Sequence, residues 1–232
     1  MGGTVLAGLP GAGRSAGQPD AALLKELKAC TPPDKPLEAL MAGNRRFAKA
    51  WEAACQQPDE AKRAEILAQL WDDNCQVDPL ALARGQTPWA ALLTCADSRV
   101  APEMTFANGS GELFKVMSAG NTAFDDGIAS LEYAISVLGV GLVLVMGHSG
   151  CGAVKAAMGS APLTPLLENL VKPIRASLVP GDDLTKAIQG NARFAAAQLT
   201  ARSAVLKQAV EAHKLNIRSA YFDIGSGKVS LL

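Results

Sequence analysis

The chain has 232 residues, with 22 Lys and Arg balanced by 22 Asp and Glu, and so no net charge at neutral pH. That balance gives no electrostatic ground for nucleic acid or an anionic membrane as partner. No apolar run approaches the ~20 residues that a bilayer-spanning helix needs. The length suits one sizeable α/β core without requiring two domains, and an apolar content of 49% favours a buried subunit interface. His148 and His213 are the two histidines, so a site built on imidazole must use one of them. Five cysteines, odd in number and irregular in spacing, do not make a disulfide framework. Cys30, Cys55 and Cys75 read as small buried side chains; a bridge between Cys55 and Cys75 needs an oxidising compartment.

In chain order, residues 1–19 are rich in Gly and Ala and lack a helical face. They read as a flexible N-terminus or the remnant of an export signal without its basic start. This favours a periplasmic or exported protein, with the cytoplasm as the alternative. Residues 20–232 read as a single domain. Asp20 caps a predicted helix that Pro32 and Pro33 end by residue 30. Pro36 opens a longer one over 36–54, with Leu37, Leu40, Met41 and Phe47 on one stripe and Arg45 and Arg46 near its edge. A third, over 57–73, carries Ile66, Leu67, Leu70 and Trp71 on its apolar side. Strands are predicted over 90–95, 112–118, 141–147 and 217–224, with an edge strand over 229–232. Helices fill 126–138 and 153–158, a proline-punctuated helical connection fills 162–180, and one long helix covers 191–215.

The stretch 142–153, LVLVMGHSGCGA, organises the rest. Five apolar residues suit a strand buried on both faces of a parallel sheet. The glycines after it allow a sharp turn that leaves His148 and Cys151 at the strand's C-terminal end, where open α/β sheets place their sites. A His and a Cys three apart can close on one metal ion. The run 89–93 ends in Cys95-Ala96-Asp97-Ser98-Arg99, and residues two apart in extended chain face the same way. Neighbouring parallel strands would therefore gather Cys95, Asp97, His148 and Cys151 into one set of two thiolates, an imidazole and a carboxylate.

With both motifs placed, the sequence resembles the β-class carbonic anhydrases. The matching residues include Gly43-Asn44-Arg45-Arg46-Phe47, Gly85-Gln86-Thr87-Pro88, Cys95-Ala96-Asp97-Ser98-Arg99-Val100 and Ala119-Gly120-Asn121. They continue with Ser130-Leu131-Glu132-Tyr133-Ala134 and Gly147-His148-Ser149-Gly150-Cys151-Gly152. Tyr221-Phe222-Asp223 and Gly227-Lys228-Val229 look like the family's closing hairpin. The resemblance covers about half the chain, over 40–154, plus that hairpin.

It implies an α/β fold with a mostly parallel central sheet of four strands plus an edge strand, flanked by helices, with the N-terminal helices packing on a dimer partner. It implies a homodimer or dimer of dimers that hydrates carbon dioxide reversibly to bicarbonate and a proton. Zn2+ would be held by Cys95, His148 and Cys151 with one position open, lowering the pKa of bound water to about 7. Asp97 paired with Arg99 accepts a hydrogen bond from that water; Asp97 on the metal instead closes the site. Gln86 is implied as an amide donor to substrate, and Phe114 and Tyr133 as walls of the apolar pocket, often across a dimer interface. Before Ala119 the family usually has an arginine, where Met117 stands here. A sulfur-substrate relative acting on carbonyl sulfide or carbon disulfide, and a closed zinc or bicarbonate binder, remain as alternatives.

Two other readings fail on the residues. Gly147-His148-Ser149-Gly150 imitates a serine hydrolase elbow, but Cys151 replaces its closing glycine and Cys95, Asp97 and Arg99 are left without a role. No Gly-Lys-Ser/Thr follows to make a phosphate loop. His213, near a helix end, reads as an exposed histidine rather than a proton shuttle.

Overall fold

The computed structural model describes residues 30–72 and 79–232. The predicted helix over 20–30 therefore lies outside the described residues except for its last position. Five strands, Ala90–Cys95 (β1), Leu113–Ser118 (β2), Leu142–His148 (β3), Asn216–Asp223 (β4) and Lys228–Leu231 (β5), form a sheet in the order β2-β1-β3-β4-β5. The first four are parallel and β5 returns antiparallel to β4. The mixed α/β fold and mostly parallel sheet read from the sequence are thus present.

Every residue of β1 and β3 is buried, because helices cover both faces of the sheet's middle. Alternate side chains serve the two cores. Leu92, Leu144, Met146 and Phe222 pack with Leu40, Phe47 and Phe106 on one face. Ala91, Leu93, Val143 and Val145 pack with Leu131, Leu199 and Leu206 on the other.

The helices are Pro36–Gln56 (α1), Glu60–Asp72 (α2), Pro79–Arg84 (α3), Pro102–Thr105 (α4), Asp125–Ser136 (α5), Gly152–Met158 (α6), Pro165–Arg175 (α7), Leu184–Arg202 (α8) and Ala204–Glu211 (α9). None of them is long and apolar enough to cross a membrane. Proline opens α1 without losing a helical hydrogen bond. Buried Asn44 then ties α1 to the rest of the chain: its amide donates to the carbonyls of Thr105 (3.1 Å) and Gly227 (2.9 Å), and its carbonyl accepts from Val229 N–H (2.8 Å). At Gly43 a Cβ would stand 1.8 Å from the Phe106 carbonyl oxygen, so no side chain fits where α1 crosses that loop.

The structure corrects four expectations. The single helix over 191–215 is two, α8 and α9, broken at Ser203, which accepts from Leu206 N–H and caps the second. The short helices α3 and α4 have no counterpart in the sequence reading; each starts at a proline, which suits the first helical position. Cys55 is an exposed free thiol, so it neither fills a core nor forms the bridge to Cys75, a residue outside those described. Cys30, expected as a small buried thiol, is disulfide-bonded and only half-buried.

Candidate metal centre

Going from β1 to β2 the chain moves to one side of β1, and β3 lies on its other side. The C-terminal ends of β1 and β3 therefore border the crevice of a topological switch point. Cys95 is the last residue of β1 and His148 the last of β3. The chain turns through Gly150, at φ +68°, so that Cys151 sits at the N-cap of α6. All three side chains are buried, and their ligand atoms lie within 4.8 Å of one another.

The donors face a common point. The Cys95 and Cys151 sulfurs are 4.0 Å apart, too far for a bond and close enough to share one cation. His148 Nδ1 sits 3.1 Å from the Ser149 carbonyl oxygen. That contact fixes the tautomer with the proton on Nδ1 and the lone pair on Nε2. Nε2 is fully buried with no hydrogen-bond partner among the described residues, an arrangement that is costly unless something else coordinates it. Two thiols and an imidazole whose free ring nitrogen is orphaned fit a metal ion with three protein ligands.

Before any metal is bound, the two thiols are unlike. Cys95 is pulled down to about 4, chiefly by the hydrogen bond from the Cys151 thiol, with the backbone amides of Gly120 and Asp97 adding to it against the opposing effect of burial. Cys151 is pushed up by the same pairing and by burial. The pair therefore holds one proton near neutrality. The Gly120 N–H lies 3.3 Å from the Cys95 sulfur.

Asp97 and Arg99 stand at the mouth. Arg99 Nε donates to Oδ1 (2.9 Å) and an Nη to Oδ2 (2.7 Å), a bidentate pair, while the Arg99 backbone N–H also reaches Oδ1 (3.0 Å). These bonds, led by the side-chain ones, hold the Asp97 carboxyl well below the usual carboxylate range. Asp97 Oδ2 is 3.8 Å from His148 Nε2 and outside the three-ligand cluster.

The pocket residues are placed otherwise. Phe114 pairs across the sheet with Ala91, whereas Cys95 pairs with Ser118, so Phe114 lies ~13 Å down the strands from the level of Cys95. It packs against Tyr133, with ring centroids 6.4 Å apart and the ring planes tilted by 42°. Tyr133 and Met117 are 45% and 39% exposed. Gln86 is exposed on the segment before β1, at the end opposite Cys95. The structure thus gathers Cys95, His148, Cys151, Asp97 and Arg99, and leaves Gln86, Phe114 and Tyr133 together with neither them nor the metal position. Ser149, the rival nucleophile, is taken up by structure: its Oγ accepts from Ile224 N–H at 2.9 Å.

Comparison with known proteins decides what this centre belongs to. The family model described as carbonic anhydrase matches residues 90–229, which include all three candidate ligands. The chain belongs to the β-class carbonic anhydrases. It is 34% identical over 159 residues to "Carbonic anhydrase 2" of Mycobacterium tuberculosis H37Rv, covering 65% of this chain and 77% of that one. Against the carbonic anhydrase of Pseudomonas aeruginosa it is 35% identical over 173 residues, covering 65% and 76%. Its fold matches the β-carbonic anhydrase CafA of Aspergillus fumigatus with a TM-score of 0.60 at 25% identity, over 85% of this chain and 91% of that one. A tetrameric β-carbonic anhydrase of Sordaria macrospora superposes with the same TM-score at 22% identity, over 66% and 84%.

One residue at this carbonic anhydrase's centre escapes motif reading. Asn191, from the middle of α8, donates its amide to the Gly120 carbonyl at 2.7 Å. Its only signal in sequence is a polar residue on the stripe of Ala187, Ile188, Ala192, Ala195 and Leu199 that α8 buries.

Proposed function

We propose that this chain binds zinc through Cys95, His148 and Cys151 and catalyses the reversible hydration of carbon dioxide. The observation that carries the reading is the buried His148 Nε2, without a hydrogen-bond partner among the described residues, lying within 4.8 Å of two buried thiols. A thiol pair with one imidazole is a zinc ligand set. When bound, zinc supplies the Lewis acidity that makes water a nucleophile near neutral pH.

The chain's own residues do the rest. Arg99 keeps Asp97 ionised and its carboxylate turned so that Oδ2 lies at the mouth of the cluster. There Oδ2 accepts a hydrogen bond from the attacking water and orients it toward carbon dioxide. With both carboxylate oxygens engaged by Arg99, Asp97 is withheld from the ligand set, which supports the open rather than the closed reading. The proton released in forming bicarbonate leaves past this pair, of which Arg99 reaches solvent, to buffer.

Gln86, Phe114 and Tyr133 serve substrate at the centre of a partner copy, because their own chain's centre lies at the other end of the strands. A homodimer or dimer of dimers is the assembly this requires. The Cys30 disulfide supports an oxidising, exported location.

Stopped-flow hydration by zinc-loaded protein, with metal content measured, tests the reading. Wild type turns over, and Asp97→Ala retains zinc and loses about 10- to 100-fold in rate. Zinc bound at one per chain with no hydration from neutral to alkaline pH would sink the catalytic claim.

A further inference from the structure

We propose that Asn191 is a positioning residue for the metal centre: it holds Gly120 so that the Gly120 N–H donates to the Cys95 sulfur. The proposal rests on the metal reading above and extends it to a helix outside the segment whose motifs carry the family resemblance.

Several observations meet at this glycine. Asn191 is 1% exposed on an otherwise apolar helix face, where an amide is costly unless bonded. Its Nδ2 donates to the Gly120 carbonyl at 2.7 Å, and the amide of that same glycine lies 3.3 Å from the Cys95 sulfur. Gly120 has φ +80°, and a Cβ there would stand 2.5 Å from Ile174 Cδ1, so the position is confined to glycine. Asn121 follows at φ +46°, a conformation that a side-chain-bearing residue adopts at a cost. Further along the same segment, Arg202 at the end of α8 binds the Ala123 carbonyl and the Asp125 carboxylate.

Glycine is the residue least able to hold its own backbone angles. Anchoring its carbonyl removes the rotation that would swing the adjacent N–H off the sulfur. The chain from α8 to β1 thus runs Asn191 amide, Gly120 carbonyl, Gly120 N–H, Cys95 sulfur. An N–H aimed at a thiolate draws in its lone pair, lowering the energy of the sulfur orbital and fixing the direction in which the sulfur offers itself to a metal. Partners behind a ligand typically account for 10- to 100-fold in metal affinity, and one acting through a backbone group belongs at the lower end.

Cobalt(II)-substituted protein provides the readout. In Asn191→Leu and in Asn191→Ala, both of which remove the donor, the thiolate-to-cobalt charge-transfer band should move to longer wavelength, and zinc affinity should fall about tenfold. Leu206→Ala, a cavity in the core beneath α9, should lower the melting temperature and leave the band in place. In wild-type protein loaded with cadmium-113, the Gly120 amide proton should show scalar coupling to the metal through the sulfur, a result that depends on no variant folding. An unmoved band with unchanged affinity in both Asn191 variants, or no coupling at Gly120, overturns the proposal and leaves the metal reading intact. A wild-type protein that takes up cobalt without a thiolate band overturns the metal reading itself.

Discussion

Cys95 and Cys151 differ in charge although they share a site, and the difference has a countable consequence. Cys95 sits at about 4 because the Cys151 thiol donates to it, and Cys151 is raised because it faces that charge while buried. Between those limits the metal-free pair carries one proton. Zinc requires both sulfurs as thiolates, so uptake near neutral pH should expel about one proton from the pair rather than two. Calorimetric titration of zinc into metal-free protein at about pH 6, below the ionisation of metal-bound water at about 7, repeated in buffers of different ionisation enthalpy, reads that number. The pH dependence of stability has a defined sign as well. A thiol whose pKa is depressed on folding stabilises the native state fully above its unfolded value of 9.0, and that contribution declines as pH falls and is gone below about 4. The thiolate ultraviolet absorbance of the metal-free protein should accordingly persist into the acid range and be lost in Cys95→Ser. Two protons expelled on zinc uptake would show that the hydrogen bond between the sulfurs does not hold in solution.

At the scale of elements, legibility followed burial. The central strands β1 and β3 are buried throughout, so their runs of apolar residues mark them within a residue or two of their observed ends. The metal ligands were legible because each half of the set lies within a few residues of a strand end. Asn191 was not, since it meets Gly120 71 positions away in sequence and no local pattern links them. The break between α8 and α9 escaped for a different reason. Leu199 and Leu206 are both fully buried, and seven residues is two helical turns, so the apolar stripe keeps its phase across the interruption. Only Ser203 betrays it, as an N-cap whose Oγ accepts from Leu206 N–H at 3.0 Å and donates to Glu132 at 2.6 Å. Replacing it by alanine should cost about 1–2 kcal/mol. Chemical denaturation of Ser203→Ala against wild type measures that difference; no change would mean that α9 is held by its apolar face alone.

Across the whole molecule, the candidate metal centre and the residues that the resemblance assigns to substrate sit at opposite ends of the same sheet. Cys95, His148, Cys151 and the Asp97–Arg99 pair occupy the C-terminal ends of β1 and β3, whereas Gln86 precedes β1 and Phe114 pairs near its start. A rigid parallel sheet cannot fold one end onto the other, so residues of both groups can meet one substrate only if copies exchange them. Mixing two defective chains tests this. Asp97→Ala disables a chain's own centre and leaves its Gln86 to lend; Gln86→Ala leaves the centre intact and lends nothing useful. In a symmetric pair formed by random reassociation, half the dimers are mixed. In each mixed dimer one centre has an intact Asp97 served by an intact Gln86, while the other centre carries both defects. Hydration by the equimolar mixture should therefore rise to about a quarter of the wild-type rate, well above either variant alone. If Gln86 served its own chain, every centre in the mixture would carry one defect. The mixture would then show only the average of the two variants, and the exchange of residues between copies would be excluded.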